Sequence, residues 1–183
     1  MIIVRTLLFL TLAIGISTPS SAEQVSLSII ISWQGKGQVF AVAPRRLRFL
    51  GAIEGIMYVE TTSGDMDEAF VRCPIVEEIS ADDRASAGTG SCEISVAPGD
   101  TLFASMRCRG RPGACRGEFE LIGGTGRFEG VQGRGQMTVR SAIHTLAADL
   151  SEGTVLDIGA GLIQIPALAV DLPTSAIPNG ARQ

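Results

Sequence analysis

The chain has 183 residues, 22 of them glycine, with only 5% aromatics and a formal net charge of −4 at pH 7. That acidic balance argues against general nucleic-acid binding, which depends on neutralising phosphates, and the length suits one domain around one core. A glycine-rich, aromatic-poor composition favours twisted strands and tight turns over helices.

The N-terminus reads as a secretory leader, residues 1–22. Arg5 supplies the positive charge, Leu7 to Ile16 the apolar run, and Ser20-Ser21-Ala22 a small-residue cleavage site. The apolar run falls short of the roughly 20 residues of a membrane-spanning helix, so no integral membrane protein is expected. Loss of Arg5 leaves 14 basic against 19 acidic residues. A secreted or periplasmic product follows, with one β domain over 23–172 and a flexible tail over 173–183.

Period-two alternation then dominates. Leu27, Ile29, Ile31 and Trp33 share one parity, as do Leu47, Phe49, Ile53, Met57 and Val59. Val71, Cys73 and Ile75 follow, then Cys92, Ile94 and Val96, then Leu102, Ala104, Met106 and Cys108. Phe119 and Leu121 continue the pattern, and Val131, Met137 and Val139 close it. Ser63-Gly64-Asp65, Ala81 to Arg84, Pro98-Gly99-Asp100 and Gly123-Gly124-Thr125-Gly126 mark turns. Ile143 to Leu150 reads equally as helix or strand, and Gly161 to Val170 as a closing strand with Pro166 near its end. The expected fold is all-β, a closed antiparallel β-barrel of about eight strands, because closure removes exposed edges. An immunoglobulin-like sandwich is the alternative; it would place a Trp between its cysteines, whereas Trp33 precedes all four.

Cys73, Cys92, Cys108 and Cys115 imply two disulfides in an exported chain. Hairpin registers that keep apolar residues on one face put Cys73 opposite Cys92, with Val71 facing Ile94 and Arg72 facing Glu93. They also put Cys108 opposite Cys115, with Ala104 facing Phe119, and set Ile94 opposite Met106. All four cysteines then form one row across strands about 4.8 Å apart. Skipping a strand would exceed the roughly 7 Å Cα limit, so the expected bonds are 73–92 and 108–115. No cysteine pair has zinc-ligand spacing.

Other motifs offer little chemistry. Gly123-Gly124-Thr125-Gly126 follows a strand, yet no helix is expected after it to receive a pyrophosphate. The hairpin residues Phe119, Gly123, Gly124, Gly126, Phe128 and Gly130 read as structural, with Leu121 opposite Phe128 and the Phe119 ring over Gly130. Phe128 breaks the parity of Val131, which calls for a bulge near Gly130 or Gly133 to Gly135. Glu118 and Glu120 share a strand face but alternate with Phe119 and Leu121, so they face water. Asp65-Met66-Asp67-Glu68 lacks the spacing of a calcium loop. His144, the one histidine, has no nucleophile partner. Arg45-Arg46-Leu47-Arg48 and Arg107, Arg109, Arg111 and Arg116 read as solvated strand ends or loops, with an anion site as the alternative.

Phe119-x-Leu121-x-Gly123-Gly124-Thr125-Gly126-Arg127-Phe128-x-Gly130, with Cys115-Arg116-Gly117 upstream, resembles the glycine hairpin of the allene oxide cyclase and dirigent-like barrels. It is most similar to uncharacterised bacterial exported members, and looser strand spacing agrees over roughly residues 40–140. The resemblance implies an eight-stranded antiparallel barrel with an apolar cavity, leaves a homo-oligomer open, and implies no cofactor. No catalytic residue of the family aligns to a position here. The reading that emerges is a non-enzymatic exported barrel that binds a small apolar ligand or a partner surface. The alternatives are a cofactor-independent isomerase or cyclase using the barrel cavity, and a structural envelope protein.

Overall fold

Alternating apolar residues on eight successive runs leave one face of each strand to be hidden, and closing the sheet on itself hides all eight at once. The computed structural model of the chain describes residues 23–60, 66–142, 155–173 and 176. The expected leader 1–22, the expected turn Ser63-Gly64-Asp65, the segment 143–150 with His144, and most of the expected tail 173–183 lie outside the described residues.

The strands are β1 (Glu23–Ala43), β2 (Arg46–Glu60), β3 (Met66–Ser80), β4 (Ala85–Ala97), β5 (Asp100–Arg111), β6 (Ala114–Gly124), β7 (Gln132–Ala142) and β8 (Val155–Leu172). Each pairs antiparallel with the next, and β8 pairs with β1 to close the barrel. The expected inward parity holds: Ile31, Phe49, Val71, Cys73, Ile94, Ala104, Phe119, Val131 and Met137 are all buried. Burial of the Ile, Val, Phe and Met side chains among them contributes about 1.5–3 kcal/mol each. On β8 the inward parity changes between Ile165 and Leu168, where Pro166 and Ala167 together face Ser28 of β1. Proline cannot donate to the ladder, so a bulge is where a strand tolerates it.

Both expected disulfides are present. Cys73–Cys92 lies in the core with Cα atoms 4.1 Å apart, and Cys108–Cys115 spans 5.6 Å. The β3–β4 register also stands as read, with Val71 opposite Ile94 and Arg72 opposite Glu93.

Two registers differ from expectation. Ile94 faces Leu102 rather than Met106, and Ala104 faces Leu121 rather than Phe119. The cause is the turn chemistry. Ala97 pairs with Asp100 around Pro98-Gly99, and Arg111 pairs with Ala114 around Pro112-Gly113. Gly99 and Gly113 take φ of 86° and 81°, the value a type II turn requires after its proline. Each hairpin therefore folds about its Pro-Gly pair. The four cysteines consequently do not share a row: Cys108 faces Gly88 on β4, four residues from Cys92. Around the cysteines the shifts are even-numbered, so inward residues stay inward and the disulfide partners survive.

The glycine hairpin differs as well. Gly126–Phe128 is a single 3-10 turn, and β7 begins only at Gln132. Leu121 faces Gly133, and Phe119 faces Gly135 instead of Gly130. Phe128 breaks the strand parity because it is not in the strand. One bulge sits on β6, where Ile122 is the extra residue against Phe103 and Ala104 of β5. A second register shift, between β7 and β8, falls from Gly135 to Thr138.

A candidate binding cavity at one mouth of the barrel

The two ends of the barrel are packed differently. The end carrying the Pro98-Gly99 turn and the Gly126–Phe128 turn is filled by Ile29, Val71, Ile94, Leu121, Val131 and Val170. The opposite mouth, beside the Pro112-Gly113 turn, holds a cavity of about 150 Å³.

Glycines open that space by letting aromatic rings lie along the wall. Gly37 and Gly51 face each other across β1 and β2, and a Cβ on either would run into the Phe49 ring. The Trp33 indole covers Gly161 in the same way and lies 3.4 Å from where a Cβ of Gly35 would be. Aromatic cover of cross-strand glycines is a known device of curved sheets. Here it operates at Phe49 and Trp33, whereas the atoms nearest a Cβ on Gly135 belong to Ile165, Ala167 and Leu168 rather than Phe119.

The lining is apolar apart from a few groups. Val39, Ile53, Ile75, Met106 and Val139 supply hydrocarbon, and the Cys108–Cys115 disulfide forms part of the rim. Glu77 carries the acidic group. It sits on the inward parity of β3, between Phe49 on β2 and Gly88 on β4. Burial pushes its pKa above the usual carboxylate value, partly offset by the Ser86 hydroxyl, which donates to the carboxylate. The Trp33 indole Nε1–H is buried and meets no acceptor among the described residues. A buried donor without a partner is uncommon in folded proteins.

An apolar cavity of about this volume, lined by Leu, Ile and Phe, takes up a benzene-sized molecule. The Glu77 carboxyl adds a group that can accept or donate a hydrogen bond, and its upward shift brings its titration closer to neutrality. The site thus offers shape, hydrophobic cover and one proton-exchanging group.

The residues singled out in the sequence distribute as follows. Cys108 and Cys115 line the cavity, while Cys73 and Cys92 pack in the core. Phe119 belongs to that core, and Gly123, Gly124, Gly126, Phe128 and Gly130 lie around the far end, away from the cavity. Glu118 and Glu120 point outward and pair with Arg107 at 3.1 Å and Arg134 at 2.6 Å. Glu77 and Ser86 were not singled out. The signal for Glu77 was available, since it continues the parity of Val71, Cys73 and Ile75. Among the described residues no group of three or more His, Cys, Asp or Glu could hold a metal ion, and no helix is long and apolar enough to cross a membrane. Comparison of the chain with family models, curated proteins and solved structures finds no match in any of the three.

Proposed function

We propose that the protein is an exported barrel that binds a small apolar molecule in its mouth cavity. The observation that carries this reading is the apolar space of about 150 Å³ beside the Phe49 and Trp33 rings, which pack where a side chain on Gly37, Gly51 or Gly161 would stand. Two disulfides suit an oxidising compartment outside the cytosol, and a secretory leader supports that location. The resemblance to allene oxide cyclase and dirigent-like barrels supports a cavity-based role.

Trp33 is the one tryptophan of the chain and lines the cavity, so its fluorescence reports occupancy. Titration with toluene or benzyl alcohol should give a saturable change. Gly88 lines the same space, and a Cβ there meets nothing closer than 3.7 Å. Gly88→Leu should fill the cavity and abolish the change without unfolding the barrel. A signal that survives this substitution, or never saturates in wild type, would remove the reading.

A second reading is favoured by Glu77. A carboxyl with a raised pKa in an apolar cavity suits general acid–base catalysis, as in a cofactor-independent isomerase or cyclase. Turnover of a bound compound that disappears in Glu77→Gln, with binding retained, would select this reading over simple binding.

A further inference from the structure

The outer face of β5, β6 and β7 distributes its charge unevenly. Three successive outward rungs cross these strands: Arg107–Glu118–Gln136, then Arg109–Arg116–Thr138, then Arg111–Ala114–Arg140. The Arg107–Glu118 pair neutralises the first rung. The next two rungs hold four exposed arginines and no carboxylate. The flanking strands bring none either, since Ala87 of β4 faces Arg109, while Gln164 and Leu162 of β8 face Thr138 and Arg140.

Arg109 and Arg116 sit directly opposite each other on neighbouring strands. Like charges in that relation destabilise a sheet. Elsewhere on the barrel the same chain avoids the problem: Arg48 meets Glu78, Arg72 meets Glu54, and Arg134 meets Glu120. With 19 acidic residues against 15 basic ones, carboxylates are not in short supply. None of the four arginines joins an ion pair among the described residues. Among the described residues the concentration of positive charge is therefore local and unneutralised, on a protein that is acidic overall.

We propose that this face binds a phosphate group, with Arg109 and Arg116 gripping its oxygens and Arg111 and Arg140 flanking them. Guanidinium forks match phosphate oxygens in pairs of hydrogen bonds. A bound dianion would also relieve the repulsion between Arg109 and Arg116. The same chemistry is offered by a phospholipid headgroup and by a free phosphorylated molecule. Arg111 and Ala114 also border the mouth cavity, so this face adjoins it, and the proposal does not depend on the cavity's ligand.

Two measurements on the purified protein test it. Inorganic phosphate should shift the arginine side-chain NMR signals of Arg109 and Arg116. Flotation with phosphatidylcholine vesicles, with and without phosphatidylglycerol, then separates the sources. Retention on the anionic vesicles alone, lost at high salt, places the phosphate on a headgroup. A phosphate response without vesicle retention places it on a free molecule. Each surface arginine is worth about fivefold at an anionic membrane, so R109Q/R116Q should weaken vesicle binding roughly 25-fold. R116E replaces repulsion by an opposite-charge pair, so it should melt higher than wild type while losing phosphate. That rise in melting temperature excludes misfolding as the cause of lost binding. The proposal is overturned if neither arginine responds to phosphate and no vesicle retains the protein, or if R109Q/R116Q binds as wild type does.

Discussion

Asp100 holds Arg127 twice, accepting a hydrogen bond from its backbone N–H at 3.1 Å and pairing with its guanidinium at 3.1 Å. Thr125 reinforces the link: its hydroxyl donates to the Gly99 carbonyl at 3.0 Å and accepts from the Thr101 N–H at 3.2 Å. The Arg127 guanidinium also stacks over Phe128, 4.8 Å from the ring centre. The glycine hairpin is therefore a clamp on the β4–β5 turn, at the end of the barrel away from the cavity.

Gly126 makes that clamp possible. Its φ is 59°, and a Cβ there would strike the Asp100 carboxylate and, at 2.6 Å, the Gly99 carbonyl. Gly126→Val should cost about 3 kcal/mol, combining backbone strain with a clash. Asp100→Ala should cost about 1–2 kcal/mol by removing charge-assisted hydrogen bonds. Thermal melts rank the two. Equal melting temperatures for Gly126→Val and wild type would mean that the clamp contributes nothing.

Gly130 behaves differently from what overpacking against Phe119 would require. Nothing lies within 4 Å of a Cβ at that position, yet φ is 83°. Gly130→Val should destabilise through backbone strain alone, by about 1–2 kcal/mol. Gly130→Asn, which tolerates that conformation better, should recover most of the loss in a denaturant titration.

Gly51 lies under the Phe49 ring, so Gly51→Val should cost about 1–3 kcal/mol. Gly88 has room for a methyl group, and its φ lies outside the left-handed range. Gly88→Ala should therefore stabilise by about 0.4–1 kcal/mol, chiefly by restricting the unfolded chain. Urea midpoints that move in opposite directions for these two substitutions would bear out the packing of the mouth wall.

Stability should depend on pH through Glu77 in the sense opposite to most carboxylates. Its folded pKa lies above the ordinary 4.5 because burial disfavours the charged form. The folded state therefore holds the proton more tightly, and stability falls as pH rises from 4.5 through the raised value. Glu120, held low by the hydrogen bond and charge of Arg134, and Asp83, held low by the Ser80 hydroxyl and the Ala85 amide, act the other way. Their contribution is present above the ordinary range and is lost as pH falls through their folded values. Glu77→Gln should thus gain on wild type between about pH 4 and pH 8. Denaturant curves at both pH values would show that gain, and parallel curves would refute it.

Removing the disulfides should separate their roles. Cys73→Ala/Cys92→Ala opens a loop of 19 residues and should cost about 3 kcal/mol, against about 2.5 for Cys108→Ala/Cys115→Ala with its separation of 7. The second pair should also alter Trp33-reported binding, because it forms the cavity rim. Peptide mapping under non-reducing conditions checks the bonds directly.

Alternation and turn chemistry were enough to read much of this protein from its sequence. Side chains of period two have only two faces to choose from, so Ile29 to Trp33, Val71 to Ile75 and Leu102 to Met106 declared their inward sides, and eight such runs implied closure. The same parity made the disulfide partners legible even though the row of four cysteines was misplaced, because the registers slip by even numbers. Parity says nothing about which even register is adopted. That was decided by the Pro98-Gly99 and Pro112-Gly113 turns. Only the closed tertiary structure decided where the barrel is full and where it is hollow. The hollow arises because Phe49 and Trp33 meet glycines contributed by neighbouring strands, and Glu77 acquires its raised pKa from walls that all seven other strands help to build. The unpaired arginine face likewise exists only once Arg109, Arg116 and Arg140 are brought side by side across three strands. Such properties depend on distances between residues far apart in the chain, which a local pattern does not encode.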